Sequence, residues 1–196
     1  MARPRQFDEK RVLRAVREQF WNAGYAATSL EDLMRVSGLG KGSLYAAFGD
    51  KHQLFLRALR NYNDANDSAL RQMLESAPRG VDALRAFVMA AVRDASGAAA
   101  QRGCFMANST CELAAADPEV LAEASRTYEA TTAAVAECVV RAQDEGDVPA
   151  EADPIETARA LLAAQQGIVF MGRTGLDITT LTATAHLLTA QLLPDA

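Results

Sequence analysis

Between Thr28 and Asp50, in the stretch TSLEDLMRVSGLGKGSLYAAFGD, two short runs with helical apolar spacing flank Gly38-Leu39-Gly40, and no other feature constrains the chain as tightly. Leu30, Leu33, Met34 and Val36 give the first run a buried stripe. A helix is therefore expected from about Ser29 to Ser37, capped by Thr28 with Glu31 reaching back to the cap amide. Gly38 stands where a helix C-terminus favours a left-handed residue, and Gly40 leads into a second helix from Lys41 to Phe48. There Leu44 and Phe48, four apart, share the buried side and leave Lys41, Gly42, Ser43, Tyr45, Ala46 and Ala47 outward. Two brief helices at a glycine turn form the helix-turn-helix pattern, and a plain helical hairpin inside a larger bundle would carry the same local signature.

In a helix-turn-helix the second helix enters the major groove of duplex DNA while the first crosses the backbone. Lys41 and the first-turn amides of the second helix sit at a positive helix end suited to phosphate. Ser43 and Tyr45 supply hydroxyl donors of the kind that meet phosphate oxygens, which position a protein without reading sequence.

The run from Phe7 to Leu56 closely resembles the N-terminal domain of TetR-family transcriptional regulators. The resemblance rests on Gly24-Tyr25, Val36-Ser37-Gly38, Lys41-Gly42-Ser43-Leu44-Tyr45, Phe48, Lys51 and Leu54-Phe55, several fixed spacings that agree at once. It implies an all-α fold: a three-helix helix-turn-helix domain over 1–50, and an effector-binding and dimerisation bundle over 51–196 that begins with a connector helix at about 51–76. It also implies double-stranded DNA with a palindromic operator as partner. The DNA-contacting residues would be Arg5, Thr28, Ser29, Lys41, Gly42, Ser43, Tyr45, Ala46 and Lys51. Many relatives carry larger side chains where this chain has Ala46 and Ala47, and alanine offers only apolar contact to a thymine methyl, so direct base readout by this helix is expected to be thin.

A net charge of -5 looks wrong for a DNA-binding protein until the chain is divided. Residues 1 to 60 hold eleven Lys and Arg against six Asp and Glu, whereas the remainder holds nine against nineteen. Positive charge is thus concentrated where phosphate would be met, and the acidic remainder limits non-specific association.

Further along, Val12, Leu13, Val16, Phe20 and Trp21 mark a helix from Asp8 to about Ala23 that closes the N-terminal core, Trp21 being read as a packing residue. Asp50 caps the connector helix, which runs through Leu54, Phe55, Leu59 and Tyr62 towards Leu74 and stops before Pro78-Arg79-Gly80. Helical periodicity continues from Val81 to Val92, then a loop SGAAAQRG, then a helix from about Cys104 to Ala115. Asp117-Pro118 and Asp153-Pro154 each read as a cap followed by a first-turn proline, starting helices to about Glu145 and Gly172, and Asp177 caps a last helix reaching Leu193. The final two helices are apolar and charge-poor, and the resemblance implies a two-fold homodimer formed through them.

The resemblance further implies an effector pocket among the C-terminal helices. Cys104, Phe105, Asn108, Glu112, Tyr128, Gln165 and Phe170 are the polar or aromatic residues among apolar ones that suit a small-molecule site. Cys104 opens a helix, whose positive end favours thiolate, and the segment Gly103 to Asn108 is similar to that of a subgroup with redox, electrophile and copper-responsive members. The same thiol as a small inert core residue is the plainer reading.

Three cysteines without paired spacing give neither a disulfide framework nor a metal site, and no cofactor is expected. Gly38 to Ser43 only superficially resembles a phosphate loop, and the two histidines, His52 and His186, have no triad or metal companion in sequence, so catalysis is not expected. The start has no apolar h-region and no stretch is long enough to span a bilayer, which makes the cytoplasm the expected compartment. The functional expectation is a ligand-responsive transcriptional regulator, most often a repressor in the family resembled. A constitutive architectural DNA-binding protein without small-molecule input is the alternative.

Overall fold

A computed structural model describes residues 7–95 and 97–193, and among the described residues every regular element is helical. In chain order these are α1 (Glu9–Ala23), α2 (Leu30–Ser37), α3 (Lys41–Phe48), α4 (Lys51–Ser76), α5 (Gly80–Asp94), a 3-10 helix (Gly97–Arg102), α6 (Phe105–Leu113), α7 (Pro118–Asp144), α8 (Pro154–Gly172) and α9 (Ile178–Leu192). The all-α expectation holds, and so do most helix ends, because their caps are local. Asp8 accepts from the amides of Lys10 and Arg11, Asp153 from those of Ile155 and Glu156, and Asp177 from that of Thr180, each with an extended cap residue ahead of the first turn. Asp50 likewise accepts from the Gln53 amide at 2.9 Å.

Two local expectations need correction. The cap of α2 is Ser29, not Thr28: the Ser29 hydroxyl accepts from the Asp32 amide while the Asp32 carboxylate accepts from the Ser29 amide, so the reciprocal pair lies one residue later than expected. Thr28 is 1% exposed and its hydroxyl donates instead to the Gly24 carbonyl at 2.7 Å, which removes it from competition for the cap. The stretch read as a loop after α5 contains the 3-10 helix Gly97–Arg102, a short alanine-rich turn stopped by Gly103 at φ 62.

The chain divides into two compact units. The first, Met1–Asp64 with Phe105–Glu123, holds α1 to α3, the beginning of α4, α6 and the first residues of α7. Val12, Val16, Phe20, Leu33, Leu44, Phe48, Leu54, Phe55 and Leu59 fill its interior. Gly38 takes φ 71 and ψ 15 at the end of α2, the left-handed geometry that lets α3 turn back within three residues and bring Leu44 onto this core. Aromatic rings continue the packing: Phe20 meets Phe55 edge-on at 5.1 Å, Trp21 meets Tyr62 at 5.0 Å, and Phe105 of α6 stands edge-on to both Phe55 and Tyr62. Trp21 is therefore a packing residue, as expected. Through Phe105, α6 joins the aromatic packing of this unit.

The second unit comprises Ala65–Cys104 and Ala124–Ala196. Its core joins Leu84, Val88 and Val92 of α5, Val135 and Val139 of α7, Leu161 and Ile168 of α8 and Leu181 and Ala185 of α9. Arg79, ahead of α5, offers no capping side chain; Glu145 at the end of α7 supplies one by accepting from the Gly80 amide at 2.7 Å. Gln143 closes the α7 to α8 connection by donating to the carbonyls of Pro149 and Ala152.

Candidate nucleic-acid interface

α3 presents the outward set that its spacing requires. Leu44 and Phe48 are buried, Lys41, Gly42, Ser43 and Ala46 are exposed, and Tyr45 and Ala47 are half-buried. Gly40 at the N-cap has no side chain to satisfy the first-turn amides, so they remain available to an anion beside Lys41. Ser29, at the N-terminus of α2, is exposed and already pairs with Asp32, whereas buried Thr28 faces Gly24. Arg5 lies outside the described residues.

Lys51, in the first turn of α4, places its ammonium 4.4 Å from the centroid of the Tyr25 ring. That contact directs a long side chain that would otherwise sample many rotamers, and it leaves the ammonium's donors free for an anion. The Tyr25 hydroxyl is pushed up from its ordinary pKa by burial and by the charges of Asp50 and Asp117, so the ring stays neutral beneath the cation. At the other end of the face the Lys41 ammonium lies 5.9 Å from the Tyr45 ring.

The carboxylates nearby are mostly engaged. Asp32 is held down to about 2 by its hydrogen bond with Arg35 and by the Ser29 hydroxyl and amide, so α2 keeps a fixed negative charge at its N-terminus, where the helix dipole favours it. Arg57 of α4 is committed to the scaffold: it donates to the Ala47 carbonyl at 3.1 Å, pairs with Glu9, and stacks 4.9 Å from the Phe48 ring. It fixes the C-terminal end of α3 against α1 and α4, a role that no local sequence signal marks.

The effector candidates fall in both units. Phe105, Asn108 and Glu112 belong to the first unit; Cys104, Tyr128, Gln165 and Phe170 belong to the second. Phe105 is 2% exposed within the aromatic core, and Glu112 accepts from two backbone amides of the α1 to α2 turn. Cys104, Asn108, Tyr128 and Gln165 are half-buried, Gln165 accepting from Gln166, while Phe170 is 67% exposed. Cys111 is exposed, and Cys138 is buried with its thiol pushed up by desolvation. No group of three or more His, Cys, Asp or Glu among the described residues could hold a metal ion, and no described helix is long and apolar enough to cross a membrane.

Both ends of the chain match known families. Residues 12–58 match the family described as bacterial regulatory proteins, tetR family, and residues 80–187, more than half of the chain, match the tetracyclin repressor-like C-terminal domain. An uncharacterized HTH-type transcriptional regulator of Bacillus subtilis (strain 168), YezE, is 29% identical over 92% of this chain and 94% of its own length. The HTH-type transcriptional repressor ComR of Escherichia coli (strain K12) is 27% identical over 91% of this chain and 86% of its own. Among solved structures, a cysteine mutant of the regulator CifR complexed with 26bp double-strand operator DNA superposes with a TM-score of 0.82 at 26% identity, covering 95% of this chain and 98% of that one.

Proposed function

The chain belongs to the TetR family of bacterial transcriptional regulators, and from that premise we propose a homodimeric repressor that leaves its operator on a small-molecule or redox signal. Its relatives and its fold are those of DNA-binding regulators and not of enzymes. The observation that carries the DNA-binding reading is the α3 face: an uncapped N-terminus beside Lys41, with exposed Gly42, Ser43 and Ala46 and no bulky side chain to hold a duplex away. Lys41, Ser43, Tyr45 and Lys51 contact phosphate, with Ser29 and Arg5 at the flanks, and Gly42 and Ala46 lie against base edges. Thr28 contributes by fixing the turn ahead of α2.

Dimerisation is supported by an apolar surface on the second unit. Phe170, Ile178 and Leu187 are 67%, 54% and 63% exposed on α8 and α9, apolar side chains that a second subunit would cover. Two copies paired there carry two heads to half-sites roughly 34 Å apart. The effector is contacted by Cys104, Tyr128 and Gln165, half-buried groups of the second unit of which Cys104 packs against the apolar core. It binds the DNA-incompetent state better, since equal affinity for both states would shift nothing.

The test is selection of bound sequences from a random duplex pool, followed by titration of the selected palindrome with the full-length protein. Enrichment of a two-fold symmetric sequence supports the proposal. A protein that enriches nothing and retains no duplex at low salt removes it.

A further inference from the structure

We propose that Glu112 of α6 is a positioning residue for DNA binding, its carboxylate fixing the turn from which α2 departs; this rests on the DNA-binding reading above. The turn has a form that attracts an anion. Gly24 ends α1 with φ 83, and the two amides after it, those of Tyr25 and Ala26, converge on one carboxylate: Tyr25 donates to Oε2 of Glu112 at 3.0 Å and Ala26 to Oε1 at 2.8 Å. Successive backbone amides of this kind make a concave anion seat, and here a side chain from 86 residues away occupies it.

The fit is close on every side. A Cβ at Gly24 would stand 3.0 Å from Glu112 Oε2 and would push the carboxylate back by a few tenths of an ångström, while the φ of 83 itself favours glycine. On the other side of the same turn Thr28 donates to the Gly24 carbonyl at 2.7 Å. The next residue, Ser29, is the cap of α2 and one of the proposed phosphate contacts. Glu112 therefore sets where α2 begins, and through the three-residue connection at Gly38 it sets where α3 lies.

A second carboxylate holds the same part of the unit. One oxygen of Asp117 accepts from the amides of Glu119 and Val120 at the start of α7, while the other lies 2.7 Å from Nε2 of His52, the neighbour of Lys51. With Glu112 at its end and Asp117 four residues beyond α6, the segment grips the head at both the α1 to α2 turn and the first turn of α4.

The experiment uses full-length protein carrying Glu112→Gln or Glu112→Ala and the duplex selected with wild type, with affinity read by fluorescence anisotropy at a temperature where melting curves show every variant folded. Glu112→Ala is expected to weaken binding between about three- and tenfold, as fits charge-assisted hydrogen bonds in an exposed setting, and Glu112→Gln, which keeps one acceptor oxygen, by less. The Tyr25 and Ala26 amide resonances in nitrogen-15 spectra are expected to move upfield and exchange faster in both. Wild-type affinity in a folded variant, or unmoved Tyr25 and Ala26 amides, would overturn the role of Glu112 while leaving DNA binding intact. If Glu112→Ala does not fold, the glutamine variant decides by the same two readouts. Failure of wild type itself to bind would instead strike the underlying functional reading.

Discussion

The Lys51 ammonium rests 4.4 Å above the ring of Tyr25, a residue of the α1 to α2 turn, so the cation that opens α4 is held by the turn that precedes α2. One aromatic ring thereby orients a charge on a different helix. Lys51→Ala is expected to weaken binding to selected and random duplex alike and to reduce the salt slope by about one phosphate contact. Tyr25→Leu keeps the charge but releases its orientation, and should raise the dissociation constant less while leaving the slope nearly unchanged. Titrations at several salt concentrations distinguish the two; an unchanged slope in Lys51→Ala would take the residue out of the interface.

Thr28 and Ser29 are adjacent and chemically alike, yet they do different things. Ser29→Ala removes the α2 cap and should cost about 1 kcal/mol of stability. Thr28→Val keeps the volume but leaves the Gly24 carbonyl without its hydroxyl donor, with a cost of roughly 1–2 kcal/mol. Urea unfolding of both variants measures this, and DNA titration adds the functional contrast: only Ser29, being exposed, is expected to lose phosphate contact beyond its effect on stability.

The pairing of His52 with Asp117 gives a signed pH dependence. Burial opposes ionisation of Asp117, but its hydrogen bond to His52 and those to the Val120 and Glu119 amides outweigh it and hold the carboxyl below its ordinary 3.8. A lowered carboxylate stabilises the fold fully above 3.8 and loses that contribution as pH falls through the lower folded value. Asp117→Asn should accordingly be less stable than wild type near neutrality, and the difference should shrink in acid. A gap that widens as pH falls would contradict the assignment.

The exposed apolar surface of α8 and α9 makes a prediction about assembly. Phe170→Glu combined with Leu187→Glu should convert a dimer into a monomer by sedimentation with little loss of subunit stability, because both side chains are more than half exposed. Operator affinity should fall at least about tenfold, since a single head forgoes the effective concentration that pairing supplies.

Ligand responsiveness is tested by melting curves against a panel of metabolites, metals and electrophiles. A specific effector at a hundred times its dissociation constant stabilises by about 2.7 kcal/mol, or roughly 5–10 °C for a chain of this size. Release by oxidant or electrophile that persists unchanged in Cys104→Ser would end the proposed redox role of that thiol, and a panel without any shift would favour the architectural alternative.

What was legible in the sequence is what is decided locally. Gly38, the Leu44 and Phe48 pair, and the caps Asp153 and Asp177 each act within one turn, and the corresponding helices begin and end where those residues place them. Thr28 and Ser29 both suit the cap, and burial of Thr28, a tertiary effect, decides between them. The contacts of Glu112 are not local either: a carboxylate among apolar neighbours carries no mark of the amides it meets, 87 residues earlier in the chain at Tyr25. Arg57, which reaches Ala47, Glu9 and Phe48 together, was equally hidden.

The central claim is that a basic head, displayed twice by a paired acidic body, grips duplex DNA at groove spacing. Sedimentation of the full-length protein with its selected duplex measures it most directly. The expected result is two protomers on each symmetric site at low salt, released as salt rises. Protein that sediments as a monomer and leaves the duplex unbound would contradict the account.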